Sequence, residues 1–180
     1  MKARALAAVL LLASATASAD DRRSVKNLLD PGAHTVRLAP AVPTTIRALT
    51  LLAVPKQIFG PRGRFVRVAP VETTVWRVRA RLVYVHHEYD GDVHLVLAEP
   101  DDAKVTMIAE IPLPELNQAH AKEWSAARGE IAERMLWGET NRLVIIEGVG
   151  FFDYPHEQFG VAKNAIELHP VLALTFEARS

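Results

Sequence analysis

The chain has 180 residues, of which 49% are hydrophobic and 23% are charged. These values are typical of one globular domain with a short extension, and they exclude a disordered, highly charged tail protein. Lys plus Arg and Asp plus Glu both number 21, so no overall charge excess indicates a nucleic acid or an anionic membrane as partner. Cysteine is absent, which excludes disulfides, thiolate metal sites and a cysteine nucleophile.

Residues 1–19 have the order of a secretory signal peptide. Lys2 and Arg4 precede an apolar run over 5–13, and small residues lead to Ala19, which predicts cleavage after that residue. The apolar run is shorter than the roughly 20 residues that span a bilayer, so an uncleaved N-terminal anchor is the alternative. No later run is long and apolar enough to span. We therefore expect a periplasmic or secreted protein without a membrane span after cleavage.

Residues 20–70 are predicted to form a proline-rich arm. Prolines at positions 40, 43, 55, 61 and 70 interrupt this segment, and proline disfavours regular structure because it lacks a backbone donor. Thr44 and Thr45 are typical helix caps, which predicts a short helix over 46–53 that ends before Pro55. We expect the arm to pack on the main domain with little core of its own.

Residues 71–180 have a stronger pattern, that of five strands and one helix. Between Trp76 and Tyr84, apolar residues alternate with arginines, as in a half-buried strand whose apolar face lines a core. The predicted strands cover 76–84, 94–99, 104–111, 142–152 and 166–176, and a helix over 119–137, in which Gly129 allows a break, lies between the third and fourth. This order predicts a mainly β domain, an OB-fold-like five-stranded barrel. Another small barrel or an α+β sheet is the alternative.

Three arginines form a candidate ligand-binding row on the first strand. Arg77, Arg79 and Arg81 alternate with the apolar residues and therefore point away from the core. The first strands of an OB-fold supply its usual ligand face, so a basic row there is suited to phosphates. The alternative is a solvated strand face, because nucleic-acid grooves interleave aromatic residues and none alternates with these arginines.

Acidic and histidine side chains recur on the predicted outer face of the barrel. Period-two alternation places His94, Glu110 and the pair Glu167 and His169 opposite the apolar faces of strands two, three and five. An acidic turn precedes His94. Carboxylates with two imidazoles suit a divalent transition metal or a general acid–base pair, whereas the alternative is a set of paired polar groups that connects strand ends. The candidate metal ligands are Asp90, Asp92, His94, Glu110, Glu167 and His169.

The loop between the fourth and fifth strands is the last candidate surface. Residues 151–156 contain four rings and one carboxylate, which favours a ligand-stacking loop. The alternative is a packed loop that covers one end of the barrel. Its candidate ligand-binding residues are Asp153, His156 and Asn164.

Four sequence blocks resemble a family of exported bacterial proteins of unknown function. The blocks are DGDVHL at 90–95, MIAEIP at 107–112, GVGFFD at 148–153 and GVAKNAIELHPV at 160–171. The resemblance covers about residues 71–176 and implies one exported domain, without an activity.

The Asp-Gly-Asp turn at 90–92 also resembles the calcium-binding turn of thermonuclease-type secreted nucleases, which are OB-folds. Glu110-Ile111-Pro112 falls near the position of an acidic residue in that family. However, Val105–Ala109 lacks the arginine that this resemblance implies on the third strand, and only Arg128 or Arg134 could supply a helical one. Without that guanidinium, phosphodiester cleavage loses a main electrostatic contribution.

The sequence therefore predicts an exported, OB-fold-like binding protein whose extracytoplasmic ligand it does not identify. A divalent metal ion is the candidate cofactor, and nucleic acid is one candidate partner. A calcium-dependent secreted nuclease or phosphodiesterase is the alternative. Whether the protein is catalytic, its oligomeric state and the role of residues 20–70 stay open.

Overall fold

The computed structural model of the chain describes residues 22–59, 63–115, 118–154 and 158–178. The predicted signal peptide and the candidate residue His156 lie outside these ranges. Within them, no helix has the length and apolar character needed to cross a bilayer.

Five strands close into a ring. The ring consists of β2 (Thr74–His87), β3 (Val93–Glu99), β4 (Asp102–Ile111), β5 (Gly138–Phe152) and β6 (Ile166–Phe176). They pair in the order β2-β3-β4-β6-β5, and β5 pairs again with β2. The β4–β6 pair is parallel and the others are antiparallel. Together with the helix α3 (Ala121–Glu133) between β4 and β5, this topology confirms the predicted OB-fold-like barrel.

Apolar residues at alternate strand positions fill the barrel. Val78, Ala80 and Leu82 of β2 are fully buried and belong to one hydrophobic cluster with the inward residues of the other strands. The buried residues of α3, including Trp124 and Ile131, lie on one helix face and join this cluster. The helix is shorter at both ends than predicted, and it continues through Gly129 without a break.

A β-bulge in β2 changes which residues face the core. Leu82 pairs with Leu97 and Tyr84 pairs with Val96, so the register shifts by one residue between them. Such a bulge reverses the in–out alternation, and Val85 is therefore buried in the core like Leu82. Tyr84, which simple alternation places in the barrel, is only half-buried.

Residues 22–59 and 63–70 are more regular than the sequence predicts. β1 (Arg37–Thr44) pairs in parallel with β2 and becomes a sixth strand, where the sequence predicts only an irregular arm. Prolines fit this mostly exposed edge strand, because an edge leaves some backbone donors unused. The predicted capped helix is α2 (Ile46–Thr50), in which Thr45 Oγ1 accepts a hydrogen bond from Ala48 N at 3.0 Å. Ile46 and Leu49 join the barrel core.

Candidate functional site

Most of the predicted metal ligands meet on the outer face of β3, β4 and β6. His94 of β3 pairs with Glu110 of β4, and residues 108–109 of β4 pair with Glu167 and Leu168 of β6. Alternate residues of neighbouring strands project to the same face of a sheet. The ring closure between β4 and β6 therefore brings residues far apart in sequence to one place.

Glu110 lies at the centre of this cluster. Its Oε1 atom is 3.1 Å from His94 Nδ1, and its Oε2 atom is 3.0 Å from His169 Nδ1. Asp92 Oδ2 lies 3.8 Å from His169 Nε2. Asp92, Glu110 and His169 each offer one ligand atom within 4.8 Å of the other two. The structure thus places four of the predicted ligands in direct or near contact.

A second group adjoins the first and includes residues that the sequence analysis did not select. Glu88 Oε1 lies 2.9 Å from His86 Nε2 and 3.2 Å from His94 Nδ1. These three residues also offer ligand atoms within 4.8 Å of one another. The bulge places His86 on the outer face, whereas uninterrupted alternation from Trp76 would direct it inward. A signal for this shift exists in the consecutive apolar residues Leu82-Val83, which interrupt the alternation.

The two remaining predicted ligands hold different positions. Glu167 is buried on the same face and interacts electrostatically with Glu110, Asp153 and Glu88. Asp90 is at the edge, where its Oδ1 accepts a hydrogen bond from Asp92 N at 3.2 Å and its Oδ2 lies 3.6 Å from Arg23. The contacts of Asp90 therefore stabilise the turn, and Asp90 lies outside the centre of the cluster.

The short helix α1 (Arg23–Lys26) and the residue after it cover the cluster. Lys26 Nζ is 3.4 Å from Glu110 Oε2, and Asn27 Oδ1 is 3.0 Å from His169 Nε2. His94 and His169 consequently have no exposed surface. Alternation identifies the correct face of each strand, but it does not show that a distant segment folds back over that face.

Burial and neighbouring charges shift the pKa values of the clustered carboxyl groups in different directions. Burial raises the pKa of Glu167 well above its usual value, and the negative charges of Glu110 and Asp153 raise it further. Burial also raises the pKa of Asp92, against the opposing effect of His169. Burial opposes ionisation of Glu110 as well, but its contacts with His169 and His94 hold its pKa well below the usual range. Glu110 is thus the carboxylate that the cluster keeps charged.

Each arginine of the predicted row donates a hydrogen bond to a neighbouring side chain of the protein. Arg77 Nε donates to Glu147 at 2.6 Å. Arg79 donates to both carboxylate oxygens of Glu177, at 2.6 and 2.8 Å. Arg81 donates to Asn141 Oδ1 at 2.8 Å. These contacts favour the alternative interpretation, a solvated strand face.

The two described loop candidates, Asp153 and Asn164, lie in different surroundings. Asn164 Nδ2 donates to the carbonyls of Leu49 and Leu52, at 2.9 and 3.0 Å, so its amide fastens the end of α2. Asp153 Oδ1 accepts a hydrogen bond from Tyr154 N at 2.8 Å, and its charge acts on Glu167. Asp153 therefore borders the cluster, whereas the Asn164 side chain binds the end of α2, the residues after it and Ile166 N.

The fold and the cluster together define the class: an OB-fold-like barrel with a covered group of carboxylates and imidazoles on its outer face. No protein-family profile and no curated protein matches the chain. A solved structure assigned as an aspartyl-tRNA synthetase from Leishmania major Friedlin is similar, with 12% identity and a TM-score of 0.45. The match covers 80% of this chain and 22% of that one, and a similarity this low carries no inference about function.

Proposed function

We propose that this protein is an exported, OB-fold-like binding protein whose ligand site holds a divalent transition-metal ion. The observation that carries the proposal is the position of the Glu110 carboxylate between the ring nitrogens of His94 and His169, with Asp92 beside them. Two imidazoles and two carboxylates at such short range are a common ligand set for zinc-like ions. The N-terminal sequence supports export.

The ligand chemistry favours a transition metal over calcium. Calcium takes six to eight oxygen ligands, whereas this cluster presents ring nitrogens of two fully buried histidines. Imidazole suits zinc, iron, nickel and copper, and carboxylate also suits manganese. The mixed set therefore fits Zn²⁺ or Mn²⁺ better than Ca²⁺.

The contacts of Arg128 weigh against the alternative, a calcium-dependent phosphodiesterase. Its Nη1 atom donates to the carbonyls of Gly91, Ile111 and Pro112, at 3.0 to 3.4 Å. The guanidinium is thus engaged in holding the turn before β3 and the end of β4 against α3. A nuclease of the type that the Asp-Gly-Asp turn resembles needs an arginine directed at the phosphate.

Metal binding is tested by thermal unfolding of the EDTA-treated protein in the presence of Zn²⁺, Mn²⁺ or Ca²⁺. A metal at one hundred times its Kd stabilises the native state by about 2.7 kcal/mol, which raises the Tm of a protein of this size by roughly 5 to 10 °C. We expect this increase with Zn²⁺ or Mn²⁺. Asp92→Asn keeps the oxygen that accepts from Leu113 N but removes the charge, and it should abolish most of the increase.

Glu133→Gln is the matched control, because this helix carboxylate is 76% exposed and belongs to neither group of candidate ligands. Its metal-dependent increase in Tm should equal that of the unaltered protein. No increase with any of the three ions, or an equal increase in Asp92→Asn, would contradict the proposal.

A further inference from the structure

We infer that the cluster binds two divalent ions rather than one, with Glu110 as the carboxylate that bridges them. The inference rests on the proposed function, which requires only one ion. The two oxygens of Glu110 face different groups: Oε1 faces His94 Nδ1, and Oε2 faces His169 Nδ1. The outer subsite consists of His86, Glu88 and His94, and the inner subsite consists of Asp92 and His169. Glu110 contributes one oxygen to each.

The distances within the outer subsite fit ligands of a common ion. Atoms bonded to one ion at about 2.1 Å lie roughly 3.0 to 3.4 Å apart in octahedral or tetrahedral geometry. Glu88 Oε1 lies 2.9 Å from His86 Nε2 and 3.2 Å from His94 Nδ1. His94 Nδ1 lies 3.1 Å from Glu110 Oε1. Small adjustments of side chains would therefore bring four ligand atoms to one ion, and these atoms come from His86, Glu88, His94 and Glu110.

The inner subsite contains a ring nitrogen that hydrogen bonding leaves unexplained. His169 Nε2 contacts Asn27 Oδ1 at 3.0 Å, and Nδ1 is the ring nitrogen that faces Glu110. Among the described residues, no partner meets this buried Nδ1 in hydrogen-bond geometry, although Glu110 Oε2 is 3.0 Å away. Metal-binding histidines have this arrangement, in which the second ring nitrogen donates to a carbonyl or carboxylate.

Acidic side chains border both subsites. Five carboxylates surround the two subsites, and Glu167 alone interacts with three of the others. Lys26 is the ammonium that contacts Glu110. The five carboxylates are Glu88, Asp92, Glu110, Asp153 and Glu167.

The two subsites differ in their access to solvent. The side chains of His86 and Glu88 are 34% and 29% exposed, whereas those of Asp92 and His169 are 7% and 0% exposed. The outer subsite thus provides the entry path, and an ion there would keep open coordination positions for water or an anionic ligand. The inner ion would be enclosed by protein.

Two manganese measurements on the EDTA-treated full chain test the inference. Isothermal titration calorimetry should show that each chain binds two equivalents of Mn²⁺. Electron paramagnetic resonance should show an exchange-coupled signal rather than the spectrum of isolated Mn²⁺, because a carboxylate bridge holds two such ions about 3.5 to 4 Å apart. Glu88→Gln, at the exposed edge, should reduce binding to one equivalent and remove the coupling.

Glu110→Gln should remove the coupling and weaken both equivalents by tenfold or more, while Glu133→Gln should retain two coupled ions. Circular dichroism of each variant establishes that it is folded, and Glu88→Gln provides the test if Glu110→Gln does not fold. One equivalent in the unaltered protein, or two uncoupled ions, would overturn the inference and leave the proposed function intact. Failure to bind any ion, as in a cluster that is only hydrogen-bonded, would overturn both.

Discussion

Gly150 allows β5 to approach the residues before β2 more closely than any side chain would permit. A Cβ atom at this position would lie 2.6 Å from Val71 O and 2.8 Å from Trp76 Nε1. Those two atoms are joined by the indole hydrogen bond, at 3.0 Å. The glycine therefore permits both the close approach and the bond that anchors Trp76.

Gly150→Ala should lower the free energy of unfolding by about 1 to 3 kcal/mol, because the new methyl group meets backbone and a hydrogen-bonded indole. The matched substitution is Gly129→Ala in α3, where a Cβ meets nothing within 4 Å. This second change should raise stability by about 0.5 to 1 kcal/mol, since glycine weakens a helix interior. Urea unfolding measures both values, and equal effects of the two substitutions would contradict the packing argument.

Individual side chains were predictable where their role is local. The capping role of Thr45 follows from its place before an apolar run, and its bond to Ala48 N confirms it. The position of His86 was not predicted, because its direction depends on a bulge three residues earlier. The role of Arg22 was not predicted for a different reason. Its fully buried guanidinium is stabilised by residues more than forty positions away.

At the scale of elements, period-two alternation predicted the strands well. β6 has the predicted bounds, and the other four barrel strands contain the predicted ranges with longer ends. β1 was missed because prolines 40 and 43 break the usual strand signal, and only an edge position beside β2 accommodates them. The charge pair Arg77–Glu147 joins β2 to β5 on their outer face.

Replacement of Arg77, Arg79 and Arg81 by Gln should leave the affinity for single-stranded DNA unchanged and weak, because Arg77 and Arg79 are paired with Glu147 and Glu177 and Arg81 donates to the Asn141 side chain. Fluorescence anisotropy of a labelled oligonucleotide at low and high salt measures this. A steep loss of affinity with salt in the unaltered protein, absent from the triple variant, would restore the arginine row as a nucleic-acid surface.

At the scale of the whole molecule, one buried ion pair ties the N-terminal segment to the barrel. Arg22 donates to both oxygens of Glu72, at 2.6 and 2.8 Å. Glu72 also accepts from Val68 N and from Phe152 N, at the end of β5, at 2.6 and 2.9 Å. The pair thus joins three distant parts of the chain, and it holds α1 where that helix covers the cluster.

Glu72→Gln should lower the free energy of unfolding by about 3 to 5 kcal/mol, because it leaves the Arg22 charge buried without its counter-ion. Thermal and urea unfolding measure the loss. Glu147→Gln, which disrupts the half-exposed pair with Arg77, should cost about 1 kcal/mol or less. A loss at Glu72 as small as that at Glu147 would show that the buried pair does not fasten the segment.

The sequence by itself determined the barrel and the faces of its strands, since alternation, turns and the helix between strands are local patterns that a short window contains. It also placed Asp92, His94, Glu110 and His169 on faces that could meet. Only the tertiary structure decided that these four residues meet. It also decided which further residues join the cluster and which segment covers it. The parallel pairing of β4 with β6, the bulge that turns His86 outward and the return of Lys26 over Glu110 depend on contacts between segments distant in sequence. The free energy of those contacts comes from burial and charge pairing in the assembled barrel, which no local pattern encodes.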